Sequence, residues 1–171
     1  MSVAPYYTHT SEADEPGTAM DEIDAFFGEN LIGADVLTFY FEDSSDTAGN
    51  VVVGGGAFLV VSMSFVNQAR LELADDFIST MRDGAGRRAA LDNIASLEIA
   101  GDTSEEEFAA AADLGDGGWG IATQTNAVPF SLLYFRRGNV IVNIISWSDA
   151  LIDPMAIARA VDGEILRTVA P

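Results

Sequence analysis

Residues Phe130–Trp147, FSLLYFRRGNVIVNIISW, decide the fold. Two apolar runs rich in β-branched and aromatic residues flank an Arg-Arg-Gly-Asn junction, the signature of a β-hairpin. A turn at Arg137-Gly138 predicts that Phe135 faces Val140, Leu133 faces Val142 and Leu132 faces Asn143. Side chains alternate along a strand. Leu133, Phe135, Val140, Val142 and Ile144 therefore line one face, and Phe130, Leu132, Tyr134, Ile141 and Ile145 line the other. Both faces are apolar, so both must be covered. Helices over one face, and a helix, loop or ligand over the other, would cover them.

Working outward, Asp153-Pro154 starts a final helix, with Pro suited to the first helical position. Ile157, Val161 and Ile165 recur every four residues and should dock on the sheet. Upstream, Leu114–Gly120 (LGDGGWG) reads as a tight turn entering a strand, Trp119–Gln124. Ser104 with Glu107 forms a capping box that should open a short Ala-rich helix. Asn67 caps the longest predicted helix, which runs to about Asp83, with Leu71, Ala74, Ile78 and Met81 on one stripe. Residues 88–94 suggest a further short helix.

Strands are predicted over Val36–Glu42, 51–53 and Ala57–Met63, the last two interrupted by Gly54-Gly55-Gly56. Thr18 is positioned to cap a helix carrying Met20, Ile23, Phe26 and Phe27 on one face, with Gly28 as its stop. Residues 1–17 read as a flexible acidic lead-in and 18–171 as a single domain. The fold class is α+β: a twisted, mainly antiparallel sheet of four to six strands packed against two long helices.

The chain has 171 residues, eight basic residues, all Arg, and 27 acidic ones, giving a net charge of −19. Carboxylates hydrate strongly and keep a surface soluble in concentrated salt, whereas the alkyl stem of lysine salts out. An acidic, lysine-free chain therefore points to a halophilic organism. A domain of this mass exposes about 8000 Å², which places excess charges about 20 Å apart. The Debye length is about 10 Å at 0.1 M salt and 3 Å at 1 M, so repulsion survives only at low salt.

The same charge excludes nucleic acid, which needs a basic footprint, and disfavours anionic membrane surfaces. The adjacent basic pairs are Arg87-Arg88 and Arg136-Arg137. The uncharged stretch Asn50–Ala69 is long enough to span a bilayer, but its glycines and polar residues argue for a strand running into a helix start. Residues 1–17 do not resemble a secretory leader.

With no Cys, thiol catalysis and Cys-based metal sites are excluded. The only histidine, His9, lies in the lead-in, which removes Ser-His-Asp and Cys-His catalysis. No catalytic residue, metal ligand or cofactor motif is assigned. The acid pairs Asp75-Asp76, Asp113 with Asp116, and Glu105–Glu107 leave a carboxylate-based hydrolase as an alternative. Asp113 and Asp116 match a fragment of a calcium loop, but Trp119 and Ile121 stand where further acids are needed. Gly54-Gly55-Gly56 lacks the Lys and Ser/Thr of a phosphate-binding loop. Trp119, Phe130, Tyr134 and Trp147 are the candidate ligand-binding residues, an aromatic group near one sheet face.

One combination of features resembles a known group. It comprises a strand running into a long helix (Phe58–Arg82), the LGD turn before a Trp-Gly strand (Leu114–Gly120), the FRRGNVIV hairpin (Phe135–Val142) and the closing helix MAIARAVDGEIL (Met155–Leu166). Together these resemble uncharacterised exported or lipoprotein-type α+β domains of haloarchaea, actinobacteria and chloroflexi. The resemblance implies a cell-envelope location and a non-enzymatic role, and brings no functional residues. The chain departs from that group in showing no leader and no lipid-carrying Cys, which leaves a halophile cytoplasm as the alternative.

The expectation is a non-enzymatic binding or interaction domain, whose partner is a protein or an apolar small molecule. A small-molecule or lipid carrier and a carboxylate-based hydrolase are the alternatives.

Overall fold

The structure, a computed structural model, describes residues 5–10, 26–41, 57–83, 106–125, 128–147 and 152–169. The Thr18 cap, strand 51–53, the Gly54–Gly56 run, Arg87-Arg88 and the helix suggested over 88–94 lie outside the described residues.

The hairpin forms from β6 (Val128–Arg137) and β7 (Val140–Trp147). Its turn is Gly138-Asn139, one residue later than the sequence suggests, with Arg137 opposite Val140. Gly138 has φ +60°, the left-handed conformation that tight two-residue hairpin turns require and that glycine adopts without strain. Phe135 therefore faces Val142 rather than Val140, Leu133 faces Ile144, and Leu132 faces Ile145. This slip is two residues, an even number, so every side chain keeps its expected face. Both five-residue sets named above are buried, each in its own core cluster.

Around the hairpin lies one antiparallel sheet of seven strands in the order β1-β2-β3-β7-β6-β5-β4. The others are β1 (Pro5–Thr10), β2 (Leu31–Phe41), β3 (Ala57–Val66), β4 (Glu106–Glu107) and β5 (Gly117–Thr125). The α+β class with an antiparallel sheet is thus as expected, with more strands than the predicted four to six.

Two expectations are corrected at the sheet edges. Residues 5–10, assigned to the flexible lead-in, are edge strand β1, in register with Val36–Phe41 of β2. Tyr6, Tyr7, Thr8 and Thr10 favour strands, and Pro5 is tolerated at an edge. Glu106 and Glu107, expected at a capped helix start, instead pair with Ala122 and Ile121 of β5. The Phe108 N–H donates to the Gly120 carbonyl at 2.8 Å. Only after this pairing does the Ala-rich segment coil, as a 3-10 helix over Ala109–Asp113.

Helices cover both faces. Asn67 ends β3 and its side chain accepts from the Ala69 N–H. A 3-10 turn then leads into α1 (Leu71–Arg82). Ala74, Phe77, Ile78 and Met81 of α1 are buried against Trp119, Ile121, Phe130, Leu132 and Tyr134. Phe27 joins this cluster, and Gly28, expected as a helix stop, instead opens a 3-10 turn over Gly28–Asn30 that leads into β2. On the other face, α2 (Pro154–Val169) packs Met155, Ala158 and Ile165 against Leu133, Phe135, Val142 and Ile144. Ile157 and Val161 are half-buried beside them. Asp153 caps α2, its Oδ1 accepting from the Met155 and Ala156 N–H groups. Of the two helices expected to be long, α2 has 16 residues and α1 has 12.

The 3-10 helix also sits on the α2 face, over β5. A Cβ added to Gly118 would stand 2.6 Å from the Ala111 carbonyl oxygen and 2.8 Å from that of Tyr134. Only glycine lets the 3-10 helix approach β5 this closely.

Candidate functional site

Three of the four aromatic residues singled out in the sequence come together under α1. Trp119 is opposite Tyr134 in the β5–β6 register, and Phe130 lies four residues before Tyr134 on β6. Trp119, Phe130 and Tyr134 are all at most 2% exposed. They belong to the enclosed core rather than to a surface patch. The ring of Tyr134 meets that of Phe77 edge-on at 5.4 Å, and Phe77 in turn meets Phe26 and Phe27. Trp147 occupies the β7 position opposite Phe130.

A row of polar residues crosses the same face and was not assigned a role from the sequence. Asn143 of β7 stands between Tyr134 of β6 and Ser62 of β3. Ser64, two residues farther along β3, lies on the same face. Asn143, Ser62 and Ser64 are 1%, 2% and 0% exposed. Neither the Nδ2 nor the Oδ1 of Asn143 forms a hydrogen bond within the protein, nor does either serine hydroxyl. Leaving such a group buried and unmade costs about 1–3 kcal/mol, against a net domain stability of about 5–15 kcal/mol. An isosteric Leu at 143 would avoid the penalty. The sequence signal was present but faint: Ser62 and Ser64 interrupt an apolar strand, and Asn143 interrupts VIVNII.

A second cluster ties the two helices to the sheet at the hairpin turn. Arg137 holds Asp162 of α2 with two parallel bonds, Nε to Oδ1 and Nη2 to Oδ2, each 2.8 Å. Asp162 also accepts from the Gly115 N–H at 3.2 Å. The Arg137 hydrogen bonds hold the Asp162 carboxyl below its ordinary range against the opposing effect of burial. Reciprocally, Asp162 raises the Arg137 guanidinium above its usual value. Arg136, on the other face, reaches Asp75 of α1 at 2.8 Å and Asp116 at 3.0 Å. Asp116 further accepts from the Gly138 N–H at 2.8 Å and lies 3.4 Å from Arg137. The LGD and RRG motifs are thus two halves of one ionic clasp.

That clasp answers the acid-pair readings. Asp116, half of the calcium-loop fragment, spends its oxygens on two guanidiniums and a backbone N–H. Asp75 is bound by Arg136, while Asp76, Asp113 and Glu107 are exposed. Glu72 and Asp162 are held below the ordinary carboxylate range, Glu72 by hydrogen bonds from its own backbone and Arg70 and Asp162 by those from Arg137. Among the described residues no group of three or more potential metal ligands occurs. No described helix is long and apolar enough to cross a membrane. No family model, curated protein or solved structure matches the chain.

Proposed function

We propose that this is a non-enzymatic binding domain of a halophilic organism that carries a small, largely apolar molecule between its sheet and α1. The observation that carries this reading is the unpaired Asn143–Ser62–Ser64 row inside an aromatic core. Binding sites combine an apolar, aromatic lining with a few convergent polar groups, and that combination is what this face presents. Docking of a protein on the aromatic residues is less well supported, because Trp119, Phe130 and Tyr134 lie beneath α1. The hydrolase reading is less well supported, because Asp75 and Asp116 are engaged by Arg136 and Arg137. The resemblance to envelope domains favours work at the cell envelope, with the halophile cytoplasm as the alternative. The acidic surface suits either compartment in concentrated salt.

The test is solvent extraction of protein purified in molar KCl, with mass spectrometry of the extract. One compound at about one equivalent per chain is expected. An extract free of any stoichiometric compound, from protein isolated from its native host, would overturn the carrier reading.

A further inference from the structure

We propose that β1 is the edge through which two copies of this chain join, antiparallel across a two-fold axis, into one continuous sheet. The partner is a second copy of this chain, and the contact is made by backbone hydrogen bonds rather than by an aromatic patch. The inference is independent of the carrier reading.

Three observations lead to it. First, the two ends of the sheet differ. The end strand β4 has two residues, Glu106 and Glu107, both charged. Short, charged strands are how natural sheets keep an edge from pairing further. The opposite end strand, β1, has six residues, Pro5–Thr10, and contains none of the chain's Asp, Glu or Arg residues. Second, β1 is composed like an interior strand. β3 and β7 also lack charged residues, and each is paired along both edges. β1 is in register with Val36–Phe41 of β2 along one edge, and no described strand pairs with the other. In an antiparallel strand, alternate residues direct both N–H and C=O toward one neighbour, and the residues between them direct theirs the other way. About half of the β1 backbone groups therefore point away from β2, the template that strand addition uses. Pro5, which has no N–H, stands at the start of the strand, so Tyr6–Thr10 keep all their donors. Third, a second copy closes the assembly. A strand added from any other chain would itself present a new edge, whereas β1 against β1 leaves only the two charged β4 ends. Antiparallel pairing of one strand with its own copy is self-complementary around a two-fold, the commonest symmetry of oligomers. Charge opposes the contact in dilute salt, because each copy carries −19. At 1 M salt the screening length falls to about 3 Å, so association strengthens as KCl rises.

The experiment is analytical ultracentrifugation of the full-length chain at pH 8, above the ordinary histidine range, so that His9 adds no charge. A dimer is expected in 2 M KCl, with its association weaker by at least tenfold in 0.1 M KCl. Amide hydrogen exchange locates the contact. In the dimer all of Tyr6–Thr10 should be protected, whereas pairing with β2 alone protects alternate residues. Tyr7→Pro and Thr8→Pro form a matched pair of variants, because the N–H groups of adjacent residues point to opposite edges of the strand. One substitution removes an outward donor and should abolish the dimer while the β2 and β3 amides stay protected. The other should release β1 from β2. A monomer at about 100 μM in 2 M KCl would overturn the inference. So would a dimer whose β1 amides keep alternating protection, or one that survives both prolines, since either result places the contact on another surface.

Discussion

Arg137 and Asp162 form the one ion pair in the clasp whose two side chains are both mostly buried, 23% and 13% exposed. A bidentate pair of this kind is screened by salt less than a surface pair. Asp162→Asn should cost about 2 kcal/mol, less than the roughly 3–5 kcal/mol of a fully buried pair because both side chains keep some exposure, or roughly 4–8 °C in Tm for a domain of this length. The sign of the pH dependence follows from the lowered carboxyl. Stability from this pair is fully present above the ordinary Asp value near pH 4. It is lost as pH falls through the depressed folded value. Thermal melts in molar KCl should therefore show a wild-type advantage over Asp162→Asn at pH 7 that shrinks by pH 3. An advantage that stays constant would show that the pair is not what the asparagine removes. Gly118 makes a separate prediction. Gly118→Ala forces a Cβ against two carbonyl oxygens and should lower stability by about 2 kcal/mol, read in the same melts.

At the scale of the element, the helix starts were legible because capping is local chemistry. Asp153 accepts two backbone N–H groups of α2, and Asn67 accepts that of Ala69 in the 3-10 turn ahead of α1, which itself starts after Arg70 without a side-chain cap; composition and spacing can reveal such contacts. Asp153→Ala should destabilise the protein by about 1 kcal/mol, measurable by guanidinium or thermal unfolding in molar KCl. A change below about 0.3 kcal/mol would mean that packing of Met155 and Ala158 alone holds the first turn. The hairpin was legible in a different way. Alternation assigned every residue to its face, but the turn position depended on which residue adopts a positive φ, and Gly138 takes it as the first of the two turn residues. The segment Glu106–Asp113 shows the limit. Its local signals favour a capped helix, yet β5 offers a strand edge, and the backbone of Glu106, Glu107 and Phe108 pairs there instead. Edge pairing with a partner ten or more residues away cannot be read from the segment itself.

For the whole molecule, charge and enclosure dominate. The net charge of −19 is spread over a surface where repulsion acts beyond one Debye length only in dilute salt. Tm should rise from 0.1 to 3 M KCl; a flat profile would remove the argument for salt adaptation. The clasp is expected to contribute at both ends of that range, because its inner pair is partly desolvated. Enclosure follows from the two faces of the hairpin. α1 and α2 cover opposite sides of one sheet, which places the Trp119–Tyr134 aromatic pair in the interior, while both polar atoms of Asn143 are buried without a hydrogen bond from the protein.

By itself the sequence determined the fold class, the two apolar faces, the Asp153 cap and the acidic composition, because each depends on residues close in the chain or on summed composition. The tertiary structure decided the rest. It brought Asp116 and Asp162 to Arg136 and Arg137 from segments 20 and 25 residues away, aligned Ser62 with Asn143 across two strands distant in sequence, and buried Trp119, Phe130 and Tyr134 under α1. Those outcomes depend on strand order and helix docking, which are set by non-local burial of apolar surface rather than by any local preference of the residues concerned.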